Sequence, residues 1–300
     1  MIIYKNTASK SVFDLDNIDE FQLWHNEKIK NYPRNINDIT VVVESPLKLS
    51  GKEVSAIQAI CQKTNLAVVR FTEQPDKAGL KQFGQQLGLN VLDDNLCADE
   101  EAISSIKVRE GGSRQEGYIP YTQKALNWHT DGYYNLETQQ INAILMYCVE
   151  KPESGGANRF LDHEILYCQL RELNPNYIRV LTLPDVMTIP PNIVDGVEIR
   201  AEQTGPVFSV NSKTGRLHMR YSARKRNIVW RDEPLVHEAA SAIEKLLNNN
   251  GYIFNYTPLP GQVVVSNNCL HSRDSFTDNA AMGLQRKIYR ARYLDRLTNT

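Results

Sequence analysis

The residues with the densest chemistry in this chain are His129-Thr130-Asp131, with His271 far downstream. On extended backbone, side chains at i and i+2 share a face, so His129 and Asp131 aim one nitrogen and one oxygen at a common point. A distant histidine can close a third position. Two imidazoles and one carboxylate on one face of a metal ion leave the opposite positions open, the ligand pattern that suits Fe(II) in oxygen chemistry. Taken alone, His-x-Asp is also what a polar surface turn produces. Its surroundings argue for more: Trp128, Tyr133 and Tyr134 make the segment aromatic, and Gly132 lets the backbone bend directly after the carboxylate. His271 follows the apolar run Val263-Val264-Val265, where a strand exit can point into a cavity. A hydrogen-bonded core histidine is the other reading.

Two cationic stretches could add anion recognition. In Arg286-Lys287-Ile288-Tyr289-Arg290-Ala291-Arg292, strand geometry puts Arg286, Ile288, Arg290 and Arg292 on one face. A guanidinium holds a carboxylate through two parallel charge-assisted bonds, which favours arginine over lysine for a clamp. The alternative is an exposed basic strand face. In the stretch from Gly215 to Arg226, Arg220, Ser222 and Arg224 share a face if the backbone is extended, and could meet an anionic substrate. A solvated charge run is the competing reading. Tyr118, Tyr121, Tyr133 and Tyr134 could wall a pocket or pack in the core. His25, His163, His218 and His237 lack matching partners and read as structural or surface residues. Cys269 shares parity with His271, but a thiolate ligand would move the site away from the oxygenase pattern.

The positioning elements follow from periodicity. Ile39 to Val43 and Leu66 to Phe71 read as strands, and a capping box at Ser50-Gly51-Lys52-Glu53 opens a helix to about Lys63. A second helix runs from Asp76 to Leu87 and stops at Gly88. Beyond it, Ile103 to Val108 and Ile141 to Val149 read as strands, and Asp162 caps a helix to Leu173. Val207 to Val210, Leu217 to Ser222, Tyr252 to Tyr256, Gln262 to Val265 and Arg286 to Tyr293 are further strands. A helix from Glu233 to Leu247 interrupts them, with Pro234 in its first turn. Many short strands with turns at Gly196, Gly205, Gly215 and Gly261 predict a mainly β fold with flanking helices around a jelly-roll core. The first 37 residues read as a polar, irregular arm or lid on a single domain spanning 1–300.

Bulk properties exclude several classes. The 300 residues carry 41% hydrophobic and 23% charged residues and a formal net charge of -1, an ordinary globular composition without a basic footprint for nucleic acid. Five scattered cysteines without a CxxC pair argue against a disulfide framework and for a reducing compartment. The N-terminus lacks a signal-peptide layout, and no apolar run approaches the ~20 residues of a membrane span. Cytoplasm is the expected location, with a small-molecule partner; self-association is left open.

The ordered set His129-Thr130-Asp131-Gly132, Gly155-Gly156-Ala157-Asn158, Leu270-His271-Ser272-Arg273, then Arg286 and Arg290, resembles the TauD/TfdA family. This is the clavaminate-synthase-like branch of the Fe(II)/2-oxoglutarate dioxygenases. Val68-Val69-Arg70-Phe71 and Phe83-Gly84-Gln85-Gln86-Leu87-Gly88 resemble the family's opening strand and helix, so the likeness covers roughly residues 50 to 295. The resemblance implies a double-stranded β-helix. It implies His129, Asp131 and His271 as iron ligands, Arg286 as partner of the distal carboxylate of 2-oxoglutarate, and Arg290 near the co-substrate's other end or the substrate. Several members carry threonine where this chain has Asn158, which can still donate a hydrogen bond to 2-oxoglutarate. Relatives that halogenate have a small residue in place of Asp131, so the carboxylate favours hydroxylation or another oxidation over halogenation. The implied reaction consumes O2 and 2-oxoglutarate, releases succinate and CO2, and oxidises a small polar or anionic metabolite. Arg220, Arg224 and Tyr133 are the residues expected to meet that substrate. Desaturation or cyclisation by the same machinery, a non-catalytic metal-binding jelly roll, and a protein-modifying hydroxylase are the rivals.

Overall fold

Runs of β-branched residues set the larger of two main sheets. The computed structural model describes residues 11–93, 102–109, 118–224 and 228–300. The larger sheet has six strands in the order Thr40–Val43, Leu66–Phe71, Gln262–Ser266, Ala143–Glu150, Lys287–Tyr293 and Ile103–Ile106. The first two are parallel, with the helix Gly51–Thr64 between them in sequence, and the remaining neighbours are antiparallel. Val263, Val264 and Val265 are all buried, as are Ala67, Val68 and Val69 opposite them. Burial on both faces is why these strands read as unbroken apolar runs. The smaller sheet has four antiparallel strands in the order Phe254–Tyr256, Asn158–Leu161, Leu270–Arg273 and Leu126–His129.

Local sequence fixes the flanking helices. Ser50 accepts from the Glu53 amide, and the Glu53 carboxylate accepts from the Ser50 amide at 2.7 Å, the reciprocal cap that starts Gly51–Thr64. Asp76 accepts from the Gly79 amide at 2.8 Å and starts Lys77–Gln86. Gly88 follows that helix at φ +84, where a Cβ would lie 2.3 Å from Thr298 Cγ2, so no other residue fits the stop.

Several expectations need correction. The segment read as an irregular arm contains the helix Ile18–Ile29. Its buried stripe is Phe21, His25 and Lys28, a helical spacing in which His25 and Lys28 do not count as apolar. Phe13, Phe21 and Tyr32 join the core cluster that holds Phe160, Tyr167 and Leu270; residues 1–10 lie outside the described residues. The strand expected over Leu217 to Ser222 stops at Met219, after which the chain leaves its partner strand to run beside residues 128–130. A short helix, Pro175–Leu181, and a hairpin of Asn192–Val194 with Val197–Arg200 were not foreseen. Cys61, Cys148, Cys168 and Cys269 are buried free thiols, while Cys97 lies outside the described residues.

Lys28 is buried because Asp162 and Glu164 meet it from the start of the helix His163–Leu173, Asp162 at 2.8 Å. Burial alone would lower the Lys28 amine, but the two carboxylates outweigh it and raise it. Asp162 also accepts from Asn65 Nδ2 and the Glu164 amide, both at 2.9 Å, so its lone pairs are well satisfied. Removing one member of a buried ion cluster strands the others, so Lys28→Met is expected to destabilise the fold by about 3–5 kcal/mol in urea unfolding. A value within about 0.5 kcal/mol of wild type, typical of a surface change, would show the cluster to be dispensable.

Candidate active site

His129 ends the strand Leu126–His129, and Asp131 follows it by two residues. His271 sits directly opposite His129 in the antiparallel register, and the two rings lie 4.2 Å apart between centroids. One ligand atom from each of His129, Asp131 and His271 falls within 4.8 Å of the others, and all three residues are buried. The pairing brings His271 to the other two donors although it lies far from them in sequence.

Each donor is held in a usable state. His129 Nδ1 is 2.8 Å from the Asn127 carbonyl, and His271 Nδ1 is 3.0 Å from the Cys269 carbonyl. A ring that donates from Nδ1 presents the lone pair of Nε2, and such carbonyl contacts fix the ring's orientation for a metal. Burial, reinforced by the neighbouring His271, pushes His129 down to about 3, and burial also lowers His271. Both are therefore neutral near pH 7, and metal uptake need not displace a proton from either. Burial by itself would raise the Asp131 carboxyl, but Arg290 and Arg292 outweigh it and hold it below the usual carboxylate range. Arg290 Nη1 reaches Asp131 Oδ1 at 3.2 Å, while Asp131 Oδ2 is buried without a partner among the described residues. Two available imidazole nitrogens and one unspent carboxylate oxygen in one place fit a divalent cation such as Fe(II).

Asn268 braces this centre, and sequence reasoning missed it. It turns the chain at φ 54 between Gln262–Ser266 of one sheet and Leu270–Arg273 of the other. Its Oδ1 accepts from the Asp131 amide at 2.8 Å, and its Nδ2 donates to the Asp131 carbonyl at 2.9 Å and to the Ile141 carbonyl at 2.7 Å. One amide thus ties the His129-x-Asp131 segment to the turn that leads into His271. Arg292, placed by strand parity on the cationic face, bonds Tyr134 Oη at 2.9 Å and the Asp93 carboxylate.

A small cavity opens beside the centre, lined by Arg286, Asn158, Gly156, Cys148, Thr257 and Ile288 among others. Asn158 lies opposite Arg273, and His271 lies opposite Phe160, so the cavity starts two residues along the sheet from His271, about 7 Å away. Arg286 Nη1 is buried without a hydrogen-bond partner. Burial draws this guanidinium down to about 10, which leaves it charged at neutral pH. A buried guanidinium that lines a cavity and has an unused Nη1 fits one end of a carboxylate ligand. Arg286 and Asn158 therefore share a cavity, while Arg290 sits at the metal donors instead.

The expected substrate residues separate. Arg220 donates from Nε to the Tyr133 carbonyl, from Nη1 to the Met187 and Gly205 carbonyls, and from Nη2 to the Gln203 carbonyl. Its donors are spent on the backbone, so it is a structural tie and not an anion receptor. Arg224 is half-buried, and Tyr133 is half-buried with its ring edge-on to Tyr134 at 5.1 Å. Residues 225–227, part of the same cationic stretch, lie outside the described residues. A second buried grouping, Asp162, His163 and Cys269, has metal-like spacing, but Lys28 already occupies its carboxylate.

The family model for the taurine catabolism dioxygenase TauD, TfdA family matches residues 28–292. A uridine-5'-phosphate dioxygenase from a Streptomyces species is 32% identical over 110 residues, 37% of this chain and 38% of that protein, so the match spans little more than a third of that relative. The fold is similar to that of an asparagine oxygenase solved with Fe(II), 2S,3S-3-hydroxyasparagine and succinate, with TM-score 0.58 and 13% identity over 87% of this chain and 94% of that one. It is also similar to a taurine dioxygenase from Burkholderia xenovorans, with TM-score 0.57 and 20% identity over 85% of each chain. The chain belongs to the TauD, TfdA family of Fe(II)- and 2-oxoglutarate-dependent dioxygenases.

Proposed function

We propose that this protein hydroxylates a small polar, anionic metabolite with O2 and 2-oxoglutarate, releasing succinate and CO2. In this reading residues 1–300 form one catalytic domain, and the two main sheets are the halves of a double-stranded β-helix. The observation that carries it is the pairing of a buried His129, Asp131 and His271 donor set with a buried Arg286, whose Nη1 has no hydrogen-bond partner, in the adjoining cavity. The relative named for uridine-5'-phosphate supports an anionic substrate.

His129 Nε2, His271 Nε2 and Asp131 would hold Fe(II), and Arg286 with Asn158 would hold the distal carboxylate of 2-oxoglutarate. Bound iron, with 2-oxoglutarate, supplies the activation of O2. The protein's own work is placement. Arg286 fixes the far end of the co-substrate in the cavity that it lines with Asn158. Arg290 keeps Asp131 ionised and directed at the ion. Asn268 prevents the Asp131 segment from drifting away from the His271 strand.

The test is succinate release in the presence of Fe(II) and O2 over a panel of amino acids, dicarboxylates, sulfonates, phosphonates and phosphate esters. One class should raise release well above the substrate-free rate. A panel in which nothing does so, with metal binding intact, would favour a metal-binding protein without turnover.

No helix among the described residues is long and apolar enough to cross a membrane.

A further inference from the structure

We infer that Arg224 and Arg200, flanking Tyr133, form a second anion subsite at the mouth of the site, and that the substrate is a phosphate monoester. This rests on the oxygenase reading above and specifies the substrate class for it.

The backbone places Arg224. The Thr130 amide donates to the Tyr221 carbonyl at 3.0 Å, and the Ala223 amide donates to the Trp128 carbonyl at 2.8 Å. Between these bonds Ser222 pairs with His129 in an antiparallel bridge. Directly opposed residues in such a bridge project from the same face, so Ser222 shares the face of the metal ligand. Arg224, two residues further, returns to that face about 7 Å along the chain. Arg200 arrives from the hairpin strand Val197–Arg200. Its guanidinium lies 5.6 Å from the centre of the Tyr134 ring and is oriented by the Pro190 carbonyl at 2.8 Å and the Ala201 carbonyl at 3.1 Å. Tyr134 in turn meets the Tyr133 ring edge-on at 5.1 Å, and Arg224 and Arg200 both lie within electrostatic reach of the Tyr133 phenol, so the two cations approach one aromatic pair from separate elements.

The local charge does not balance. Asp131 is engaged by Arg290 and Asp93 by Arg292. Among the described residues no carboxylate forms an ion pair with Arg200, Arg220 or Arg224, although Arg200 and Arg220 are near enough to repel. Like charges gathered on a half-buried wall cost free energy that a bound anion recovers. A fully solvated charge run would not bring two arginines from separate elements to one aromatic pair. A single carboxylate satisfies one guanidinium fork. A phosphate monoester carries close to two charges and three acceptor oxygens, which matches two guanidiniums and a phenol.

The experiment is calorimetric titration of protein loaded with Mn(II) and 2-oxoglutarate, using ribose 5-phosphate and nucleoside 5'-phosphates beside their dephosphorylated parents and carboxylate or sulfonate analogues. At least one phosphate ester should bind more than about 10-fold tighter than its parent, and Arg224→Gln and Arg200→Gln should each weaken it about 10- to 100-fold. Arg224→Lys should recover part of the loss. The proposal is overturned if no ester is preferred over its parent, if a carboxylate or sulfonate analogue binds tighter, or if both glutamine variants bind as wild type does. Separate titrations of Mn(II) and 2-oxoglutarate into each variant distinguish the two levels. Failure there in the wild type counts against the oxygenase reading, whereas failure confined to the ester counts against the subsite.

Discussion

His129→Ala is expected to lose more than about 100-fold in divalent metal affinity and to bring succinate release down to background. The floor on that number comes from comparison: removing an outer group that merely orients a ligand costs about 10–100-fold, and removing the ligand itself must cost more. The loss has a specific cause here. His271 and Asp131 cannot compensate, because each already points to the shared centre from its own place in the chain. Folding should survive, since the imidazole contributes one ring contact with His271 and one bond to a carbonyl that solvent can replace. Mn(II) titration with circular dichroism as the folding control decides it. A variant that binds Mn(II) like wild type would show that the metal, if any, lies elsewhere.

The second large effect is at Arg286. Arg286→Ala should raise the 2-oxoglutarate concentration needed for half-maximal turnover by about 30- to 5,000-fold, the equivalent of ~2–5 kcal/mol for a buried carboxylate that loses its charged partner. Mn(II) affinity should barely move, because Arg286 lines the adjoining cavity and makes no contact with the three donors. Arg286→Lys should recover only part of the loss, since a point charge cannot form the parallel pair of bonds. The apparent requirement is read from initial rates across 2-oxoglutarate concentrations. An unchanged requirement in the alanine variant would transfer the clamp to Arg290.

What could be read in the sequence was what strand parity and capping encode over a few residues. His129-x-Asp131 was legible because i and i+2 always share a face on extended chain. The helix Gly51–Thr64 was legible because its cap is reciprocal and local. The opposition of His271 and His129 is a long-range register, and only the ordered resemblance pointed to it. The helix Ile18–Ile29 escaped because a buried lysine and histidine form its inner stripe, and what makes them tolerable inside is Asp162, Glu164 and a stacked Phe21. Arg220 shows the opposite failure. Parity placed it beside the substrate candidates, but four carbonyls from three stretches of chain capture its guanidinium. Asn268 carried no signal, because its role lies in a left-handed turn whose side chain happens to match the peptide of Asp131.

That Asn268 brace has a consequence for metal identity. The protein's own hydrogen bonds hold the donors in place, so little shape remains for an incoming ion to impose. A cradle that keeps three donors on one face, whatever ion arrives, disfavours a guest that demands a square-planar set, such as Cu(II). The general order of affinity, in which Cu(II) outranks Fe(II), is therefore opposed by the shape of the site as well as by what the cell keeps free, and the turn at Asn268 is what keeps that shape.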